Sequence, residues 1–123
     1  MANYVSPEWA WARLLKMNPW LLLSLAILLE LSGTTCLKLS HGFTRLFPSI
    51  GVVCFYMGSF ALMAQSLKTL EVGIVYAIWA GVGTALIAVV GVLAFGESVT
   101  TLKILGLLMI IGGTILLRMT ATA

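Results

Sequence analysis

Charged residues are what this chain most conspicuously lacks. Four carboxylates and seven Lys or Arg residues make up 9% of 123 positions, while 61% of the chain is hydrophobic. A soluble domain of this size has too little interior to hide so much apolar surface, so the bilayer must be its solvent. Histidine occurs once, at His41, and a lone loop histidine is far better read as solvated than as a ligand. The two cysteines, Cys36 and Cys54, lie in or beside separate apolar runs without metal-ligand spacing, and read as small buried hydrophobes. Neither a metal nor a cofactor is therefore expected. The formal net charge of +3 suits contact with lipid headgroups and gives no case for nucleic acid. Hydrolytic chemistry within the membrane would want a second acid, a nucleophile–base pair or metal ligands, and none is there, so an enzyme is not expected.

What is present is apolar length. Four runs are long enough to cross a bilayer, at about 19–37, 47–67, 72–95 and 102–117. The fourth is short, and can extend over Lys103 and Arg118 because their aliphatic stems reach back to the interface. Basic or turn-rich pieces separate the runs: KLSHGFTR, KTLE and GESVTT. The sequence thus predicts an all-α membrane protein of four transmembrane helices, a domain over 17–118 with almost nothing outside the membrane and a short tail at 119–123. The first run could imitate a signal peptide behind Arg13 and Lys16, but it is too long, contains Glu30 and lacks a small-x-small cleavage site. Residues 1–16 are less apolar. Ser6–Pro7 is a good cap and first turn, Glu8 suits a helix start, and Trp9, Trp11, Arg13 and Lys16 resemble an interfacial anchor. Disorder, or a true start at Met17, would account for the same segment.

Glu30 is the only acidic residue inside any of the runs, near the middle of the first. A carboxylate there costs roughly 2.5–3.5 kcal/mol on insertion scales, so it ordinarily faces a bundle interior and has a task. The plainer alternative is a glutamate satisfied by Ser32 or Thr34. Nothing else in the spans could serve as its permanent counter-ion.

Charge placement says little about orientation. Four spans put Arg13, Lys16, Lys68 and Arg118 on one side and Lys38, Arg45 and Lys103 on the other, four against three. That is a weak instruction under the positive-inside rule. A chain so poorly oriented can insert both ways and pair with its inverted copy, a two-chain version of the inverted repeat found within many transporters. Four short helices also enclose little space alone, so oligomerisation is expected on size.

Spacing collects candidate residues around the carboxylate. Ala26 and Gly33 share the Glu30 face, where small side chains leave room for a ligand or permit close helix packing. Tyr56, Ser59, Phe60 and Met63 form one stripe on the second helix, and Tyr76, Trp79 and Gly83 another on the third. Such stripes are often mere packing, yet these aromatics lie deep in their spans, away from the interfacial belt. Beside a buried anion they describe a site for a lipophilic cation, held by ion pairing and cation–π attraction. Gly81 and Gly83 can loosen the third helix into a hinge. Gly106 and Gly113, seven apart, form a contact face on the fourth, a candidate dimer seam.

Over 17–118 the chain resembles the small multidrug resistance family of bacterial proton-coupled exporters. The features that carry the resemblance are LAILLELSGTT around Glu30, LKLSHGFTRLFPS, YMGSFALMAQSL and GIVYAIWAGVG. The resemblance implies an antiparallel homodimer of four-helix protomers in the bacterial inner membrane, often inserted in both orientations. It places the essential carboxylate on Glu30, pocket aromatics on Tyr56, Tyr76 and Trp79, and the pocket serine on Ser59. It further places the small residues by the carboxylate on Ala26 and Gly33, hinge glycines on Gly81 and Gly83, and dimerisation glycines on Gly106 and Gly113. Guanidinium exporters of the family carry tryptophan three residues after the glutamate, where this chain has Gly33, which favours the quaternary-ammonium, multidrug branch. The implied function is export of lipophilic or quaternary ammonium cations against protons, the two competing for one glutamate. Guanidinium or polyamine export, with a paralogous partner chain in the polyamine case, and a non-transporting subunit are the alternatives. His41 departs from the acidic loop residue of many multidrug members.

Overall fold

In the computed structural model, residues 17–121 are described, and they form four helices with no strand among them. These are α1 (Pro19–Leu39), α2 (Leu46–Ser66), α3 (Val72–Phe95) and α4 (Thr101–Thr120). Each is long and apolar enough to cross a membrane. The extension expected over 1–16 lies outside the described residues.

Local chemistry explains where each helix starts and stops. Pro19 opens α1, where its missing N–H costs nothing, and the Asn18 side chain accepts from the Trp20 backbone N–H at 2.9 Å. The helix runs two residues past the expected end. Lys38 in its last turn complements the carbonyl end, and Ser40 donates its N–H back to the Cys36 carbonyl at 2.8 Å. His41, Gly42 and Phe43 then turn in the left-handed region, at φ 47°, 72° and 65°. Pro48 sits in the first turn of α2, where N–H groups have no helical partner anyway. Gly96 ends α3 at φ 64°, the conformation glycine adopts without strain. Thr100 caps α4 by accepting from the Lys103 N–H at 3.1 Å. Nothing in LLRMT stops that helix at Leu117, so it continues through Arg118 to Thr120, and the first two residues of the expected tail are helical.

Connections this short force consecutive helices to run antiparallel. α1 packs on α2 and on α3, and α4 packs chiefly on α3. The core is a small cluster of Leu23, Ile27, Leu70, Ile74, Val75 and Ile78, flanked by Trp20, Met63, Leu67 and Trp79. In lipid, burying these side chains gains little transfer free energy because the solvent is equally apolar. Close contact and internal hydrogen bonds must therefore set the packing. The buried Ser59 hydroxyl shows this, donating from α2 to the Ala26 carbonyl of α1 at 2.6 Å. On α4 only Thr114 is buried, so nearly the whole of that helix faces outward. The cysteines differ from their expected burial: Cys36 is half-buried against Gly51 and Cys54 is exposed on the protomer surface. An apolar thiol finds lipid as comfortable as a core. His41 is exposed in its turn, as read.

Candidate functional site

Glu30 lies half-buried on the face of α1 that meets α2 and α3. Its Oε1 accepts a hydrogen bond from the Thr34 hydroxyl at 2.7 Å, one turn along the helix. The Thr34 oxygen is in turn 2.7 Å from the phenol oxygen of Tyr56 on α2. Ser32, the other suggested partner, instead donates to the Leu28 carbonyl. Opposite, α3 presents Gly83, where a Cβ would come 3.8 Å from Glu30 Oε2. The second carboxylate oxygen thus faces a surface kept low by glycine.

The aromatics form one connected chain. Tyr56 and Phe60 have ring centroids 6.2 Å apart, Phe60 and Trp79 6.3 Å, and Trp79 and Tyr76 5.7 Å, the last two edge to face. These separations fall within the range of favourable ring contacts. Tyr56 begins the chain beside the carboxylate and Tyr76 ends it, 63% exposed on the protomer surface. The Trp79 Nε1–H is buried, with no acceptor among the described residues. Gly33 determines where Tyr56 can sit. A Cβ there would lie 2.5 Å from Tyr56 Cδ1, so the ring rests directly on the α1 backbone.

A cleft of about 210 Å³ opens between α1 and α3, lined by Glu30, Thr34, Trp79, Ala80, Gly83, Thr84 and Ile87. Sites for drug-sized ligands generally occupy about 300–1,000 Å³. One protomer therefore supplies an anion and an indole wall around a cleft smaller than that range.

The structure thus brings Glu30, Gly33, Tyr56, Phe60, Tyr76, Trp79 and Gly83 into one neighbourhood. Other candidates lie apart. Ala26 is fully buried and pairs with Ser59 at the α1–α2 contact, while Met63 packs on the core cluster. Gly81 sits beneath Thr114 of α4, which a Cβ at Gly81 would strike. Gly106 and Gly113 have no other described element against them, with nothing among the described residues within 4 Å of where a Cβ would stand. Sequence reading treated Thr34 only as a satisfier of Glu30 and omitted Ala80, Thr84 and Ile87. Spacing could have found them: Thr34 is four residues from Glu30, and Ala80, Gly83, Thr84 and Ile87 continue the Tyr76 stripe by threes and fours.

Residues 18–110 match the family described as Small Multidrug Resistance protein. The chain is 44% identical over 103 residues to the multidrug transporter EmrE of Escherichia coli, an alignment covering 84% of this chain and 94% of that one. It is 44% identical over 102 residues to the multidrug resistance protein EbrB of Bacillus subtilis, covering 83% and 87%. It is also 42% identical over 102 residues to a guanidinium exporter of Salmonella typhimurium, covering 83% and 97%.

Proposed function

Because the chain belongs to the small multidrug resistance family, we propose that it exports lipophilic or quaternary ammonium cations in exchange for protons, the two competing for Glu30. It is a multi-pass protein of the bacterial inner membrane, and the relatives are named as transporters and exporters. The observation that carries the proposal is a lone intramembrane carboxylate joined through Tyr56 to a continuous run of aromatic rings. Proton and cation cannot occupy one carboxylate together, so a proton arriving from one side displaces a cation held from the other. Rings meeting a cation face-on attract it with loose geometry, which supports broad specificity.

The functional unit in this reading is an antiparallel homodimer. The cleft is too small for a bulky cation, Tyr76 is exposed next to the Trp79 that lines it, and α4 is left uncovered with its Gly106 and Gly113 face open. A second copy would supply the missing wall and cover that face, and the near-equal charge of the two loop sets permits the inverted pairing. The guanidinium-exporting relative, nearly as similar as the multidrug ones, supports a small-cation substrate as the second reading.

The test is proton release from detergent-solubilised protein on adding tetraphenylphosphonium, guanidinium or spermidine, with Glu30→Gln as control. Release by tetraphenylphosphonium, abolished in Glu30→Gln, is the expected result. Release only by guanidinium or spermidine would keep the mechanism and move the substrate class. Silence with all three would refute proton–cation exchange by this chain alone and favour a paralogous partner chain or a non-transporting subunit.

A further inference from the structure

Two hydrogen bonds of 2.7 Å, Thr34 to Glu30 and Tyr56 to Thr34, tie α1 to α2. We infer that Thr34 is a positioning residue for Glu30: it fixes which carboxylate oxygen meets the cation, and it couples the protonation of Glu30 to the hydroxyl of Tyr56. The inference rests on the exchange reading above.

Counting protons gives the chain a direction. An ionised carboxylate only accepts, while a threonine and a tyrosine hydroxyl each have one proton to give. With Glu30 ionised, the Thr34 proton is committed to Oε1, so the proton between Thr34 and Tyr56 must come from Tyr56. Oε1 is then occupied, and Oε2, on the Gly83 side, is left for the cation. When Glu30 takes a proton from water onto Oε1, that oxygen becomes a donor in its turn. Thr34 rotates to accept from it and offers its own proton to the Tyr56 oxygen, and the Tyr56 proton loses its acceptor in the chain. Thr34 and Tyr56 keep their protons throughout; two hydroxyl rotations reverse the polarity. Occupancy of a carboxylate on α1 is thereby linked to an aromatic on α2 that stacks with Phe60.

Two observations separate Thr34 from an ordinary helical threonine. Ser24, Ser32, Thr35 and Thr114 each donate to the carbonyl four residues back, the usual arrangement, and Thr34 forgoes that bond for the carboxylate. Thr34 also stands in the wall shared by the Glu30 cleft and a second cavity of about 380 Å³. The charged groups lining that cavity with it are Lys38, one turn further along α1, Glu97 in the α3–α4 turn and Lys103 on α4. Lys103 lies 3.7 Å from Glu97. Tyr56 faces it from α2, and on α3 Tyr76 reaches the site only through Trp79. Among the described residues no cationic group pairs with Glu30, which leaves Thr34 as the side-chain donor that holds the ionised form.

Thr34→Val keeps the shape and removes the hydroxyl; Thr34→Ser keeps the hydroxyl and removes the methyl. Proton release induced by tetraphenylphosphonium, followed against pH in the purified protein, separates the two. Loss of a donor to a carboxylate makes the ionised form less stable, so the proton is retained to higher pH. Thr34→Val is expected to raise the pH of half-maximal release and to weaken tetraphenylphosphonium binding about tenfold or more. Thr34→Ser keeps the wild-type midpoint, and Tyr56→Phe moves it in the same direction as Thr34→Val but by less. A role in shape alone reverses that order, leaving Thr34→Val like wild type and Thr34→Ser impaired, and would overturn the inference. Should Thr34→Val fail to fold, Tyr56→Phe decides, and an unmoved midpoint there overturns it equally. If wild type and Glu30→Gln are alike in releasing no proton, the exchange reading itself has failed and the positioning role falls with it.

Discussion

Gly81 is a hinge in the family resemblance and a contact in this structure, and one substitution separates the two. α3 runs unbroken through Gly81 from Val72 to Phe95. A Cβ built at Gly81 would strike the Thr114 hydroxyl and lie 3.0 and 3.3 Å from Thr114 Cβ and Cγ2. Thr114 cannot easily yield, because its hydroxyl donates to the Ile110 carbonyl at 2.8 Å and it is the one buried side chain of α4. Gly81→Ala therefore gains about 1 kcal/mol of helix propensity and loses about 1–3 kcal/mol to overpacking. The net is a destabilisation of about 0–2 kcal/mol, concentrated at the α3–α4 seam. Thr114→Ala removes the hydroxyl and Cγ2, leaving only Cβ at 3.0 Å, and because that hydroxyl bonds only within its own helix, its loss costs below about 1 kcal/mol. Combined with Gly81→Ala, it removes the hard clash with the hydroxyl and leaves a Cβ contact that a shift of a few tenths of an ångström relieves.

The assay is reversible denaturation in detergent of wild type, both single variants and the double variant, taken as a cycle. The contact reading requires the double variant to be more stable than the sum of the singles by about 1–3 kcal/mol, the coupling usual for touching side chains. A hinge reading places the cost of Gly81→Ala in backbone freedom, which a change on another helix cannot restore. Additivity of the two substitutions would refute the contact argument and return Gly81 to a purely conformational role.

Two further outcomes follow from the site. Trp79→Ala removes the centre of the aromatic chain between Phe60 and Tyr76, and should weaken binding of aromatic cations more than that of small quaternary ones; equal loss across sizes in a titration series would make Trp79 structural. Ser59→Ala removes a buried α1–α2 hydrogen bond and should cost about 0.5–2 kcal/mol in unfolding, whereas weakened cation binding at unchanged stability would place Ser59 in the pocket after all.

Much of the fold was legible because membrane spans are written in composition. An apolar run of some 20 residues has one low-energy structure in lipid, since only a helix satisfies its own backbone there. Turn chemistry at Pro19, Gly42 and Gly96 then marked the ends to within a few residues. The carboxylate was legible for the opposite reason: Glu30 violates the rule its surroundings obey. The small residues were harder, because glycine and serine have several uses in a membrane and spacing does not choose among them. Gly33, Gly81 and Gly83 look alike as letters. Yet one seats the Tyr56 ring, one clears Thr114 and one lies beside Oε2. Ser59 likewise shares a stripe with Tyr56 and Phe60, but its hydroxyl turns into the α1 contact. Each outcome depends on which helix lies opposite, and helix pairing is a property of the whole bundle. Thr34 was legible only as a satisfier of Glu30, for a related reason. Its link to Glu30 is local and could be read from a spacing of four, but its link to Tyr56 spans 22 residues and two helices. Only the second bond turns a satisfied glutamate into one whose protonation state another helix can sense.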